Sequence, residues 1–204
     1  MRRLFSGIAV VLMGAFMSLL GACAAGTSAP SRFYLMSPLS SPKAEIRASA
    51  GDRCIAVGVG PVEIPAYLDR PQIVTRVSNN EVSLAEFDRW AEPLTDNIPR
   101  VLAENISSLL CAEPINVFPW RESAPVHYQV IVEVLRMDGD LGGRAFLLTR
   151  WAILEERKKS PAVARRTSYS EPVEGKDYEA LVSAQSRLLE ALSGDIAGAI
   201  KSLR

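Results

Sequence analysis

The sequence predicts an α+β domain: a single, mostly antiparallel sheet packed by at least two helices, including a long C-terminal helix. Apolar residues occupy alternate positions at Val126, Tyr128, Val130, Val132 and Val134, the period of a half-buried strand. Apolar residues also recur at three- and four-residue spacing after Trp90 and again after Asp177, the period of a helix lying on a sheet. Turn-forming clusters of Gly, Asn, Asp and Pro separate these segments.

Taken in order, Ile55, Val57 and Val59 alternate with Ala56, Gly58 and Gly60, a strand with one bulky face and one very small face that permits close packing. Pro61 and Pro65 end its regular pairing. Gln72 to Val77 and Val82 to Phe87 flank Ser78-Asn79-Asn80, which reads as a hairpin turn because Asn tolerates the positive φ such turns need. Leu94, Ile98, Val101, Leu102, Ile106 and Leu109 form a helical stripe; Pro99 fits the first turn if Thr95 or Asp96 is the N-cap. Ile115 to Phe118 is a short strand. The strand over 126–134 then meets a return strand, Arg144 to Glu155, across the turn Asp138-Gly139-Asp140-Leu141-Gly142-Gly143. Ala162 to Ser170 completes a meander, and Asp177 to Leu203 is the long amphipathic helix.

The 204 residues suit one domain, and 48% hydrophobic content is enough to bury a core. Lys plus Arg and Asp plus Glu both number 23, which gives no electrostatic case for nucleic acid. Arg157-Lys158-Lys159 reads as a solvated turn.

The N-terminus carries a separate instruction. Met1-Arg2-Arg3 is a short basic region, and the stretch from Leu4 to Leu20 carries no charge. It ends in small residues instead of a basic stop-transfer cluster, which favours a secretory signal over a membrane span. Leu20-Gly21-Ala22-Cys23 matches a lipobox: an aliphatic residue, two small residues that let a peptidase approach, and a thiol to carry a diacylglyceryl thioether. Residues 1–22 are therefore expected to be a lipoprotein signal peptide. Residues 23–32 form a lipidated N-terminus and flexible tether, and residues 33–204 the domain. Cleavage frees the Cys23 amine for a further acyl chain such as palmitate. At roughly 0.8 kcal/mol per buried methylene, two or three chains hold where one is marginal. Ala24, in place of an inner-membrane-retaining Asp, points to the outer membrane, facing the periplasm. The uncharged tether from Ala24 to Ser31 spans about 25 Å at roughly 3.3 Å per residue.

Two cysteines remain, Cys54 and Cys111. An oxidising compartment permits a disulfide between them; two thiols buried as small hydrophobes are the alternative. A metal is not expected, since His127 is the sole histidine and no close-spaced cysteine pair exists. No nucleophile elbow and no phosphate-cradling loop is present. His127 reads as a structural or surface residue, and Asp138 and Asp140 as turn residues. No catalytic residue and no cofactor is expected.

Two stretches are more specific. Val57-x-Val59-x-Pro61-Val62-x-Ile64-Pro65-x-Tyr67-Leu68-Asp69-Arg70-Pro71-Gln72-Ile73-Val74 leads into Arg89-Trp90-Ala91-Glu92-Pro93-Leu94, after an earlier Phe33-Tyr34-Leu35. Together they resemble the PqiC/YmbA-like family of ABC-type transport auxiliary lipoproteins, most distinctively from Val57 to Leu110. The resemblance implies the outer-membrane component of an MCE/ABC-type intermembrane lipid transport system. It would act as a docking or channel-end subunit, and support envelope integrity. Its implied partners are an MCE-domain periplasmic protein and that protein's inner-membrane transporter. Phospholipid contact and a homo-oligomer are further expectations; nucleic acid is not. Tyr67, Leu68, Arg70 and Trp90 are the candidate interaction surface, since Tyr, Trp and Arg favour interface centres; core packing is the competing reading. A structural envelope lipoprotein that anchors periplasmic assemblies without handling lipid is the alternative function.

The lipobox assignment is tested by Cys23→Ser. The expected result is loss of metabolic palmitate labelling and release of the chain from the membrane fraction. Retained labelling would place the modification elsewhere.

Overall fold

The computed structural model describes residues 29–39, 54–120, 126–155 and 160–204. The chain divides into two units, Met1–Pro30 and Ser31–Arg204. The signal segment and Cys23 lie outside the described residues. The second unit contains β1 (Arg32–Tyr34), β2 (Ile55–Glu63), β3 (Gln72–Arg76), β4 (Val82–Trp90), α1 (Leu94–Leu109), β5 (Ala112–Val117), β6 (Tyr128–Gly139), β7 (Arg144–Glu155), β8 (Pro161–Pro172) and α2 (Tyr178–Ser202).

The expectation of a single, mostly antiparallel sheet is wrong. The strands form two sheets, a three-stranded one in the order β1-β4-β3 and a five-stranded one in the order β5-β2-β6-β7-β8. Both are mixed. β1 runs parallel to β4, and β2 runs parallel to both its neighbours, β5 and β6. The β3–β4 and β6–β7–β8 pairs are antiparallel. The physical reason lies in β2. Its central residues 56–60 are all buried, as in strands covered on both faces. After it, the proline-bounded connection over residues 64–71 carries the chain into another sheet instead of back alongside β2. The β3–β4 hairpin therefore pairs locally but away from its predecessor.

The very small face of β2 has a definite occupant. A Cβ on Gly58 would lie 2.7 Å from Trp120 Cη2, and one on Gly60 would lie 2.6 Å from Phe118 Cβ. Gly60 also adopts φ +121°, a conformation that disfavours any side chain. Rings stacked over glycine thus cover β2 on the side away from the helices.

On the opposite face, α1 packs on β2 and β5 while α2 packs on β7 and β8. α1 begins at Leu94 with Pro93 at its cap position and no capping side chain, so Pro99 stands inside the helix and not in its first turn. α2 has the expected N-cap: the Asp177 side chain accepts from Ala180 N at 2.9 Å. Leu181, Leu188, Leu189, Leu192, Ile196 and Ile200 are fully buried along its stripe. Each such side chain contributes roughly 1.5–3 kcal/mol by leaving water.

Cys54 and Cys111 are joined as a disulfide with a Cα–Cα distance of 4.7 Å, immediately before β2 and just before β5. Ile55 N donates to Cys111 O at 2.9 Å beside it. The bond closes a loop of sequence separation 57, which contains β2, the β3–β4 hairpin and α1. Replacing both cysteines with serine is expected to cost about 2–4 kcal/mol in urea unfolding, with a reductant producing the same loss in the wild type. A reductant-insensitive wild type would mean that the two thiols only pack.

Candidate functional site

β1 and the residues that follow it carry a connected set of polar contacts to β4 and both helices. Arg32 and Tyr34 belong to β1 and share one carboxylate on β4. Arg32 Nε lies 2.8 Å from Asp88 Oδ1, and the Tyr34 hydroxyl donates to the same oxygen at 2.7 Å. Burial, reinforced by the hydrogen bond to Asp88, pushes the Tyr34 phenol up to about 12. It therefore stays a donor throughout the physiological range.

Beyond β1, residues 35–39 run as an extended strap over both helices. An extended segment leaves its amides unpaired, and buried amides need partners. Asn97 of α1 supplies one: Met36 N donates to Asn97 Oδ1 at 3.0 Å, and Asn97 Nδ2 donates back to Met36 O at 3.4 Å. Leu39 N donates to Asn105 Oδ1 at 2.8 Å, and Ser37 N donates to Ser186 Oγ of α2 at 3.1 Å. Asn105 Nδ2 in turn donates to Ser193 Oγ at 3.3 Å, tying the helices to each other. The Met36 side chain is buried as an apolar peg between these bonds. Removing either asparagine would leave buried backbone amides without partners, a cost of about 1–3 kcal/mol each.

The Arg89 to Leu94 stretch orients this arrangement. Glu92 accepts from Asn97 Nδ2 at 2.7 Å and pairs with Arg100. The Arg100 hydrogen bond, with a further one from Asn97, holds the Glu92 carboxyl below its usual value. Glu92 thereby fixes which way the Asn97 amide faces the strap. Ala91 N donates to Tyr34 O at 2.9 Å, and Trp90 N donates to Pro71 O at 2.7 Å.

A groove of about 850 Å³ opens beside the strap, between Leu35, Leu39, Leu109 and Val182, with Arg187 and Glu190 at its rim. Phe33 of β1 is 64% exposed and Leu35 of the strap 45%, so the start of the domain shows apolar side chains outward.

The candidate interaction residues are placed differently from one another. Leu68 and Trp90 are buried in the core, so in this structure they support a surface without forming it. Tyr67 and Arg70 are half-buried in the connection before β3. The Tyr67 hydroxyl accepts from Met137 N at 3.5 Å, and burial raises its pKa. Arg70 Nε is buried without a hydrogen-bond partner. The set thus splits into two packing residues and two junction residues.

His127 Nδ1 accepts from Ala56 N at 2.9 Å, and its own backbone N donates to Ala56 O at 2.8 Å, so its imidazole extends the β2–β6 pairing. Asp140 lies in the β6–β7 turn, but Asp138 does not. It sits at the end of β6, fully buried between Arg76 and Arg136. Among the described residues no group of three or more His, Cys, Asp or Glu side chains is placed to hold a metal. The strap-holding Asn97 and Asn105 escaped the sequence reading. The available signal was two asparagines eight positions apart in the interior of a helix, where Asn is intrinsically unfavourable.

The family described as ABC-type transport auxiliary lipoprotein component matches this chain over residues 34–197. No curated protein matches it. Among solved structures, an uncharacterised protein superposes with a TM-score of 0.66 at 19% identity, covering 84% of this chain and 99% of its own. A Xanthomonas campestris protein does so with a TM-score of 0.63 at 17% identity, covering 85% of this chain and all of its own (100%). At such identities the likeness speaks for the fold alone. The family match spans the strap, both sheets and nearly all of α2, and with it the chain belongs to the ABC-type transport auxiliary lipoprotein components, anchored to a membrane with the domain facing the periplasm.

Proposed function

We propose that the chain is the outer-membrane lipoprotein of an MCE/ABC-type system that carries lipid between membranes, acting there as a docking or channel-end subunit and so supporting envelope integrity. Lipid on Cys23, palmitate included, fixes it to the membrane, and Ala24 favours the outer one. Its partners are an MCE-domain periplasmic protein and the inner-membrane transporter behind it, with the lipoprotein itself working as a homo-oligomer and performing no catalysis. Phospholipid is the cargo class.

The observation that carries this reading is the strap. A lipoprotein that only decorates a membrane needs no stiff connection between tether and domain. Here the first residues after the tether are pinned by Asp88, Asn97, Asn105 and Ser186, on β4 and both helices. Such a connection transmits position from the anchor to the domain, as a subunit that fixes one end of a path requires. Of the four candidate surface residues, Tyr67 and Arg70 are the two exposed enough to touch a partner, with Leu68 and Trp90 buried.

The test is affinity purification of the full-length lipoprotein from gently solubilised envelopes, with bound lipid and protein identified by mass spectrometry. The expected result is an MCE-domain protein together with phospholipid, and a deletion strain sensitive to detergent. The double variant Asn97→Ala/Asn105→Ala should stay lipidated yet recover less partner. Envelopes yielding other periplasmic assemblies but no MCE protein and no lipid would favour the stapling lipoprotein and sink the transport reading.

A further inference from the structure

β8 is a twelve-residue strand at the open edge of the five-stranded sheet, paired on one side only. An edge of this length is a template for another strand unless something blunts it. At its C-terminal end the edge is covered: Arg144 Nη2 donates to Ser170 O at 3.0 Å and Arg187 Nη2 to Pro172 O at 2.8 Å. Over residues 162–168 no described side chain bonds the backbone.

The side chains on that open stretch have a pattern. Across the face away from the helices, Glu133, Arg150 and Arg166 stand in one row of the sheet. Glu133 pairs with Arg150 at 3.1 Å. Arg166 stands directly opposite Arg150, a like-charge neighbour, and makes no ion pair with any described residue. The row is thus one carboxylate short at its outer end. The next row on the same face is Ile131, Ala152 and Ala164, and its two alanines leave a cleft of about 420 Å³ floored by apolar atoms. On the helix side, the exposed Arg165 lies with its guanidinium 5.7 Å from the centre of the Trp151 ring.

We infer that the open stretch of β8 is a strand-addition site for an extended, acidic segment of a partner protein. A strand laid beside β8 at the usual spacing of about 4.8 Å puts successive residues on opposite faces. One acidic residue then completes the Glu133–Arg150–Arg166 row. The adjacent acidic residue faces Arg165, and the next residue, two from the first, reaches over Ala164 into the cleft. The preferred segment therefore reads acid-acid-large apolar, or its reverse for the opposite strand direction. A second copy of β8 is a poor occupant, because arginine would meet arginine near the centre. This inference stands apart from the cargo and from the proposed partner.

The probe is the octapeptide Thr-Val-Leu-Glu-Glu-Leu-Val-Thr, which satisfies both strand directions, titrated into the detergent-solubilised full-length lipoprotein. A Lys-Lys version in place of Glu-Glu is the control. The inference predicts saturable binding of the acidic peptide, weakened by salt, with amide exchange slowed over residues 162–168. The variant R165E/R166E should lose at least about tenfold in affinity and gain for the Lys-Lys peptide. Ala164→Trp, which fills the cleft without touching charge, should weaken binding too. Equal affinity for both peptides, or no exchange protection on β8, overturns the inference. So does an R165E/R166E variant that self-associates while the wild type ignores the acidic peptide, since the arginines would then only guard the edge.

Discussion

The two sheets of this domain are joined through one buried carboxylate. Asp138, at the end of β6, has no exposed side-chain surface, and receives Arg76 Nη2 and Nε at 2.7 and 2.9 Å and Arg136 at 2.7 Å. Arg76 comes from β3 in the three-stranded sheet; Arg136 is a neighbour on β6. An isolated carboxylate could not be buried there, whereas two guanidinium partners offset the desolvation. The register shift between Val134 and Arg136 helps make the site, because the strand no longer follows simple alternation. Arg136 lies 5.0 Å from the centre of the Phe146 ring, which keeps its charged end in place. Tyr67 adds a contact from its hydroxyl to Met137 N. Without this junction the β3–β4 hairpin would have no ion pair to β6 and would hold to the rest of the domain by apolar packing and by the contacts around Glu92 and the strap.

The junction matters because the first strand of the domain, β1, belongs to the small sheet. β1 pairs with β4 over three residue positions, too few to hold by main-chain bonding alone. Asp88 and the strap make up the difference, one through Arg32 and Tyr34, the other through the asparagines of α1. A displacement applied at β1 therefore reaches the rest of the domain along two routes, through β4 to Asp138 and β6, and through the strap to both helices. The disulfide closes the loop that holds this hairpin, at the point where the chain enters β2 and, 57 residues on, enters β5. These connections fix β1 and the strap firmly to both sheets and both helices. That is the mechanical property expected of a subunit that fixes one end of a path between membranes.

Local signals were legible in the sequence, and long-range ones were not. The β3–β4 hairpin, the β6–β7–β8 meander and both helices follow from periodicity and turn residues within short windows. The small face of β2 was visible too, although not the rings that fill it. The sheet count failed because β1 and β4 meet across more than fifty residues, and β2 finds its neighbours only after the hairpin and α1 have intervened. Asp138 looked like a turn residue beside Gly139 and Asp140, since its partner Arg76 lies 62 positions upstream. Asn97 and Asn105 carried a faint signal, polar residues on an apolar helix face, without any indication of what they hold. Leu68 and Trp90 resembled interface residues by type, but burial, not type, decides that role.

The most direct measurement is a double-mutant cycle between Arg76 and Asp138, using Arg76→Leu and Asp138→Leu and the pair together, each followed by urea unfolding. If Asp138 is the junction, Asp138→Leu strips both guanidiniums of their carboxylate and costs about 3–5 kcal/mol, while Arg76→Leu leaves the buried carboxylate to Arg136 alone and costs at least about 2 kcal/mol. The double change then recovers much of that loss, giving a coupling of at least about 2 kcal/mol. Additive losses with a coupling below about 0.5 kcal/mol would contradict the account, and would mean that the two sheets are held together without the Asp138 pair.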